Sequence, residues 1–231
     1  MNLRRGARPL VISHRGAASL APENSRAALR AGAESGADVV EFDISPGLLV
    51  GHALDELPAD ALTLDDALEE LAPAGVGLHL DVKLPGYEDD VLAAIRRHGV
   101  LDRAYISSAY AVTTRRFAPA GLPVAIGYPR DRLGVSNVRW PTALTRGGAA
   151  ALRAAMPARI PVLLRVARAN TLSLHHTLCS RAAVATAHRL GAPVLAWTAN
   201  DPAAIRRLLA AGVDGIVSDD PQMALATLRE Q

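Results

Sequence analysis

The stretch Val39–Ile44, with the sequence VVEFDI, places two carboxylates in an apolar run that has the length of a buried strand. Residues two apart in a strand point to the same face, so Glu41 and Asp43 face one side and the apolar side chains between them face the other. Burying an ionised carboxylate without a partner is costly. Two interpretations are open from this hexapeptide alone: a metal site, or an arginine paired with one carboxylate while the other is solvated at a strand end.

Composition limits the classes of protein to which the chain can belong. The 231 residues, half of them hydrophobic, fit a single domain spanning 1–231, as large as one α/β barrel. The net charge of +2 is spread along the chain without a basic stripe, and only 3% of the residues are aromatic. Both observations argue against a nucleic-acid partner.

Cysteine usage and the N-terminal residues bear on location. Cys179 is the only cysteine, which excludes an internal disulfide framework and favours a reducing, cytoplasmic compartment. Met1–Arg8 is basic, but only Pro9–Ile12 follows before polar residues begin. That run is too short for a signal peptide or a membrane span. The sequence carries no signal that indicates an oligomeric state.

Hydrophobic patterning predicts eight strands that alternate with helices. The expected strands are Leu10–Ser13, Val39–Ile44, Gly77–Lys83, Ala104–Ser107, Pro123–Gly127, Thr171–His175, Pro193–Thr198 and Gly215–Ser218. This alternation of eight strands with helices in 231 residues is typical of a TIM (β/α)8 barrel near its minimum size. An open doubly wound sheet is the rival fold, but no Gly-x-Gly-x-x-Gly motif follows the first strand.

The helices are predicted from caps and apolar stripes. The first opens at Pro22–Asn24 with Asn24 as its N-cap, and Pro161–Val166 is compatible with a strand or a helix. We favour a helix there, because Thr171–His175 then becomes the sixth strand. The other expected helices are Thr63–Leu71, Glu88–His98, Tyr110–Phe117, Arg146–Ala155, Arg181–Leu190, Pro202–Ala210 and Pro221–Leu228.

Polar residues gather at the carboxyl ends of the first three predicted barrel strands. These ends meet at one mouth in a barrel, which brings together His14, Glu41, Asp43, Asp81 and Lys83. Three carboxylates without a cysteine favour Mg²⁺ or Ca²⁺ over zinc. His79 shares the face of Asp81 one pleat deeper, and we interpret it as a buried, hydrogen-bonded histidine.

Lysine usage singles out one position. Lys83 is the only lysine among 25 basic residues, the rest being arginine. A position that keeps lysine in such a chain indicates a need for a compact ammonium group on a flexible stem. Beside a bound cation, Arg15 and Lys83 would suit an anionic phosphate.

The motifs, taken in order, resemble the glycerophosphodiester phosphodiesterase family over nearly the whole chain. They are His14-Arg15-Gly16, Pro22-Glu23-Asn24, Glu41-x-Asp43, His52, Asp81-x-Lys83, Trp197-Thr198-x-Asn200 and the run from Gly212 to Pro221. Each element is weak by itself, whereas the ordered set is specific. The resemblance implies a TIM barrel that uses one divalent cation, Mg²⁺ or Ca²⁺, to hydrolyse a small-molecule glycerophosphodiester to sn-glycerol 3-phosphate and an alcohol.

The resemblance also implies roles for individual residues. Glu41, Asp43 and Asp81 become the metal ligands, His14 and His52 the acid–base pair, and Arg15 and Lys83 the phosphate-binding residues. The implied mechanism is attack by the glycerol 2-hydroxyl on phosphorus, expulsion of the alcohol and hydrolysis of a cyclic phosphate. Besides these, we interpret Trp197 as an apolar wall for the glycerol and His176, which ends strand six, as a substrate-binding residue.

The sequence departs from the family pattern in three places. Aspartate stands at position 81, where the family usually has glutamate. Between Asp43 and His52 the family usually has a longer stretch with a Thr-x-Asp-Gly turn and an aspartate after the histidine, whereas this chain has Ser45-Pro46-Gly47 and Ala53. The segment from His52 to Thr63 is also short, so that the insertion after strand two looks trimmed. Two alternative functions therefore stay open. One is a related phospholipase D-like or cyclising lyase barrel, and the other is a barrel that binds phosphoryl ligands without turnover.

Overall fold

Eight parallel strands close into a barrel, which confirms the predicted TIM fold. The computed structural model describes residues 1–129 and 142–230, apart from the side chains of Glu56 and of residues 142–146. Around the barrel the strand order is β1-β9-β8-β7-β6-β5-β4-β2, and β1 pairs with β2 to close the ring. The short strand β3 lies outside the ring and pairs antiparallel with β2.

The barrel strands lie within one or two residues of the predicted positions. Those of the ring are β1 (Leu10–Ser13), β2 (Val39–Ser45), β4 (Gly77–Val82), β5 (Ala104–Ser108), β6 (Val124–Tyr128), β7 (Thr171–His175), β8 (Val194–Trp197) and β9 (Gly215–Ser218), and the extra strand is β3 (Leu49–Val50).

Eight α-helices are seen in the described ranges, and they surround the ring. They are α1 (Arg26–Glu34), α2 (Leu64–Leu71), α3 (Glu88–Arg97), α4 (Ala111–Phe117), α5 (Thr142–Ala167), α6 (Arg181–Arg189), α7 (Pro202–Ala211) and α8 (Pro221–Arg229). None of these helices combines the length and the apolar character that crossing a bilayer requires.

Helix α5 differs from the prediction in its extent. The segments Arg146–Ala155 and Pro161–Val166 both belong to it, so the preference for a helix over a strand at Pro161–Val166 was correct. Two prolines, Pro157 and Pro161, lie inside the helix. Proline ordinarily ends or kinks a helix, which is why the sequence pattern broke this element into two pieces.

The interior of the barrel changes from apolar to polar toward the carboxyl ends of its strands. Ile12, Val39, Tyr105, Leu195 and Val217 belong to one buried apolar cluster. Since side chains two residues apart share a face, the residue two beyond Val39 points inward one layer higher, and that residue is Glu41. The inward-facing polar residues therefore form a layer at the carboxyl end of the barrel, next to the apolar layer that fills its interior.

Candidate active site

Most of the predicted site residues line one cavity at the carboxyl ends of the strands. Its volume is about 670 Å³. The polar residues that were predicted for the site and line this cavity are His14, Arg15, Glu41, His52, Asp81 and Lys83. This is the end of the barrel at which TIM-barrel enzymes carry their active sites.

Three carboxylates come together at this end of the barrel, and two of them, Glu41 and Asp81, line the cavity. One oxygen each from Glu41, Asp43 and Asp81 can be chosen so that all three lie within 4.8 Å of one another. Strands β2 and β4 pair in register with Asp43 opposite Asp81, which sets these two side chains side by side. Glu41 is 2% exposed and Asp43 is 0% exposed.

Two cations contact the carboxylate cluster. Nζ of Lys83 lies 2.5 Å from Oδ1 of Asp43 and 2.5 Å from Oδ2 of Asp81. Nε of Arg15 lies 3.1 Å from Oδ2 of Asp43, while Nη1 of Arg15 donates to both carboxylate oxygens of Glu23 at 2.7 Å. One part of the second interpretation of the hexapeptide therefore holds, because Asp43 has an arginine partner, whereas Glu41 is buried and not solvated at a strand end.

The pKa values of the two most buried carboxyls of the cluster shift in opposite directions. Burial, and then the charge of Asp43, raise the pKa of Glu41 to about 8. Burial also acts to raise the pKa of Asp43, but Lys83 and Arg15 outweigh it and hold that pKa well below its ordinary value. The charges of His14 and Lys83 act to lower the pKa of Glu41, but they do not outweigh burial and the charge of Asp43.

A divalent cation fits this donor set. The candidate ligand atoms are all carboxylate oxygens, which Mg²⁺ and Ca²⁺ prefer, and no thiol or imidazole takes part in the cluster that the described residues form. A cation there would stabilise the ionised form of Glu41, which burial disfavours.

His14 is held by a carboxylate from the last strand of the barrel. Its Nδ1 lies 2.5 Å from Oδ1 of Asp219, and its Nε2 lies 3.9 Å from Oε2 of Glu41. Since an ionised carboxylate only accepts hydrogen bonds, Nδ1 carries the donated proton and Nε2 points toward the cluster. Burial acts to lower the pKa of His14, but Glu41 and Asp219 outweigh it, and the pKa is raised.

Asp219 and Asn200 are site residues that sequence reasoning missed. Neither residue was assigned a functional role from the sequence, yet Asp219 accepts a hydrogen bond from Nδ2 of Asn200 at 2.5 Å and donates its backbone N–H to Oδ1 of Asn200 at 2.9 Å. A usable signal existed, because Asp219 directly follows β9, and the two ends of a closed barrel meet where β9 pairs with β1.

His52 lies at the exposed rim of the same cavity. The shortened segment brings it there through β3, since the backbone N–H of Gly51 donates to the carbonyl of Asp43 at 3.0 Å. The Ser45 hydroxyl donates to the Gly51 carbonyl at 2.8 Å. Burial and then Lys83 lower the pKa of His52, which favours a neutral imidazole able to accept a proton.

Asn24 has a different role from the one predicted. The N-cap of α1 is Ser25, whose side chain accepts a hydrogen bond from the backbone of Ala28, so the assignment of Asn24 as N-cap was wrong. Asn24 is buried, donates through Nδ2 to Oδ2 of Asp43 at 3.0 Å and accepts from the Asp43 backbone N–H at 3.0 Å. It fixes the orientation of one candidate metal ligand.

His79 and Ser107 support Asp81 from below. His79 is buried, as predicted, with Nε2 at 2.7 Å from the Ser107 hydroxyl and its ring stacked 4.1 Å from that of Tyr105. The Ser107 hydroxyl donates to Asp81, so His79 donates to Ser107. Burial lowers the pKa of His79 to about 3, which keeps the ring neutral.

Trp197 and His176 differ in their relation to the cavity. Trp197 lines it, in agreement with its predicted position. His176 is absent from the described residues that line the cavity, and its ring packs 4.6 Å from that of His175, which in turn meets Trp197 edge-on at 5.2 Å. The position of His176 gives no support to a direct substrate contact, so we leave it out of the proposed site.

Comparison with known proteins agrees with this geometry. The model of the "Glycerophosphoryl diester phosphodiesterase family" matches residues 14–45 and 137–223, more than half of the chain. The chain belongs to this family. The glycerophosphodiester phosphodiesterase of Caldanaerobacter subterraneus subsp. tengcongensis is 25% identical to this phosphodiesterase, and the match covers 96% of this chain and 98% of the relative.

Two solved structures share the fold of this family member. A phosphodiesterase from Oleispira antarctica, in complex with the product sn-glycerol-3-phosphate, aligns with a TM-score of 0.71 and 22% identity over 96% of this chain and 97% of that one. A glycerophosphodiester phosphodiesterase from Parabacteroides distasonis aligns with a TM-score of 0.72 and 19% identity, again over 96% and 97%.

Proposed function

We propose that this phosphodiesterase hydrolyses glycerophosphodiesters to sn-glycerol 3-phosphate and an alcohol with the help of one divalent cation. The observation that carries the proposal is a cavity whose lining combines two members of the three-carboxylate cluster, Glu41 and Asp81, with two histidines and two cations. The product named in the Oleispira antarctica complex supports the choice of substrate.

The cation, Mg²⁺ or Ca²⁺, is assigned to Glu41, Asp43 and Asp81. When bound, it neutralises negative charge that develops on the phosphoryl oxygens. Arg15 and Lys83 line the cavity beside the cluster and are assigned to the phosphate. The ion pairs that they make with Asp43 would weaken as the cation takes up the charge of that carboxylate, which releases their N–H groups toward the substrate.

His14 and His52 are assigned to proton transfer. In the first step the glycerol 2-hydroxyl attacks phosphorus, one histidine accepts the hydroxyl proton, and the other donates a proton to the departing alcohol oxygen. In the second step water opens the cyclic phosphate while the two histidines exchange roles, so both regain their starting states. Asp219 keeps His14 in the tautomer that this exchange requires.

The decisive experiment is product analysis. The protein is incubated with glycerophosphocholine and Mg²⁺ or Ca²⁺, and glycerol 3-phosphate is assayed. Accumulation of a cyclic phosphate would instead identify the lyase alternative. Absence of any product with every metal and headgroup would identify a binding barrel without turnover.

We expect His14→Ala to abolish turnover, a loss of at least ~10²-fold, because positioned acid–base groups contribute that much. The matched control is His188→Ala. His188 also contacts an aspartate, with Nε2 at 2.7 Å from Oδ2 of Asp214, but it does not line the cavity in the described part of the chain. The control should retain activity per folded molecule, and an active His14→Ala variant would remove His14 from the mechanism.

The proposal places the enzyme in the cytoplasm. Support comes from cysteine usage, since Cys179 is free and buried. Burial raises the pKa of its thiol to about 12, which makes it an inert packing residue. Fractionation of cells followed by immunodetection checks this compartment.

A further inference from the structure

The cavity continues beyond the carboxylate cluster along an apolar wall. The wall is formed by residues that follow β2, β4, β5 and β6, four strands that are consecutive in the ring. We call this wall the apolar arc; its members among the described residues are Pro46, Ala53, Leu54, Leu84, Ala109, Tyr110 and Pro129.

Two leucines of the apolar arc are unusually exposed. Leu54 is 49% exposed and Leu84 is 40% exposed, and both line the cavity. They belong to different loops, after β3 and after β4, yet they face the same space. Apolar side chains that converge on an open cavity mark a place where a ligand removes apolar surface from water.

The opposite wall of the cavity has a different chemistry. Ser173 from the middle of β7, Trp197 at the end of β8 and Thr198 directly after it supply two hydroxyl groups beside one aromatic face. This wall suits a glycerol, which has both hydroxyls and a hydrocarbon backbone. With the phosphate between the two walls, the leaving alcohol is directed toward the apolar arc.

The size of the cavity also exceeds what a glycerol phosphate needs. A volume of about 670 Å³ lies in the range that holds drug-sized ligands. Among the described residues that line the cavity, the charged groups gather around the cluster, apart from one carboxylate at the rim, Asp55. A cationic headgroup over Asp55 is therefore the rival occupant of this side.

We propose that the preferred substrates are glycerophosphodiesters whose leaving alcohol carries a hydrocarbon chain, and that this chain lies against the apolar arc. The inference rests on the proposed function for the identity of the phosphodiester. It adds the chemical class of the alcohol, which the carboxylate cluster and the histidines do not determine.

The test compares glycerophospho-n-alkanols with ethyl, butyl and hexyl chains, all short enough to stay monomeric in water. We expect kcat/KM to rise by about twofold to fourfold for each added methylene, as partial to full burial of a methylene allows. A flat or falling series overturns the inference. So does a higher kcat/KM for glycerophosphocholine than for the hexyl diester, together with its loss in Asp55→Asn.

Variants locate the effect. Leu54→Ser and Leu84→Ser should flatten the dependence on chain length, because they remove the apolar surface that the chain covers. The matched control is Leu190→Ser, a leucine of similar exposure (52%) at the end of α6 that does not line the cavity in the described residues. A slope that survives both arc substitutions would contradict the assignment.

A binding measurement separates this inference from the proposed function. Calorimetric titration with n-alkyl phosphates requires no turnover, and we expect tighter binding with each added methylene. If alkyl phosphates show this trend but no diester is cleaved, the proposed function fails and the ligand class stands. If glycerol 3-phosphate is formed while neither rate nor affinity depends on chain length, only the inference fails.

Discussion

At the scale of single residues, the hydrogen bond between Asp219 and His14 decides which nitrogen of the imidazole faces the substrate. Asp219→Asn keeps the shape but replaces the acceptor by an amide that can present its NH2 group to Nδ1. We expect kcat to fall by about 10²-fold with KM changed by less than ~2-fold, because proton transfer is affected more than binding. Steady-state kinetics measures this split.

The tautomer of His14 provides a second readout for this substitution. In ¹⁵N spectra of histidine-labelled protein we expect the proton of His14 to shift from Nδ1 toward Nε2 in Asp219→Asn. Asp214→Asn is the matched control, because Asp214 accepts from the backbone N–H of Val194 at 2.8 Å and contacts His188 instead. An unchanged kcat in Asp219→Asn would show that His14 needs no such orientation.

A second prediction for a single residue concerns Lys83, the only lysine of the chain. Nζ of Lys83 reaches two carboxylates at 2.5 Å each, a geometry that suits a compact ammonium group and not a planar fork. Lys83→Arg should therefore lower kcat/KM by at least ~10-fold although the charge is kept. Arg97→Lys, which changes an exposed pair with Asp65, should leave kcat/KM unchanged. Equal activities would mean that only charge matters at position 83.

At the scale of elements, the contact between β1 and α1 explains the glycine of the His-Arg-Gly motif. Gly16 has φ +84°, and a Cβ there would overlap the Ala28 backbone and lie 2.7 Å from the Leu29 amide nitrogen. Gly16→Ala should cost several kcal/mol of unfolding free energy, because strain and overlap combine and α1 must move away from the strand that carries His14. Denaturant unfolding monitored by circular dichroism measures this loss.

Gly121→Ala separates the backbone strain of a positive φ from the steric overlap with α1. Gly121 has nearly the same φ, +85°, but nothing lies within 4 Å of a Cβ placed on it. Its substitution should cost only the left-handed strain, about 1–2 kcal/mol. Equal losses at the two positions would show that α1 accommodates the extra methyl group.

The elements also show what could be predicted from sequence and what could not. Period-two alternation placed Glu41 and Asp43 on one face of β2, and Asp81 on the corresponding face of β4. Because charged side chains cannot be packed among apolar helices without a partner, this face had to point into the barrel. The partnership of Asp219 with His14 was missed, since it joins residues 205 apart that meet only when the ring closes. Asn24 was missed because an asparagine next to a helix start looks like a cap, whereas its neighbour Ser25 performs that role.

At the scale of the whole molecule, the carboxylate cluster should link cation binding to stability. A cation that binds only the folded chain adds about 2.7 kcal/mol at a concentration 100-fold above its Kd. For a chain of this size that corresponds to a rise in Tm of about 5–10 °C. Differential scanning calorimetry with Mg²⁺, with Ca²⁺ and with a chelator measures the rise without any substrate.

Glu41→Gln tests whether this rise comes from the cluster. Because burial and the charge of Asp43 raise the pKa of Glu41, its protonated form is favoured when no cation is bound, and an amide is a close substitute for that form. The variant should therefore keep most of its stability in chelator and lose most of the rise in Tm. Glu70→Gln is the matched control, since Glu70 pairs with Arg26 and Arg30 of α1, is no member of the carboxylate cluster that the described residues form, and should retain the full rise. If Glu41→Gln responded to both cations like the unaltered chain, the cation would bind elsewhere, and the assignment of Glu41, Asp43 and Asp81 as its ligands would be wrong.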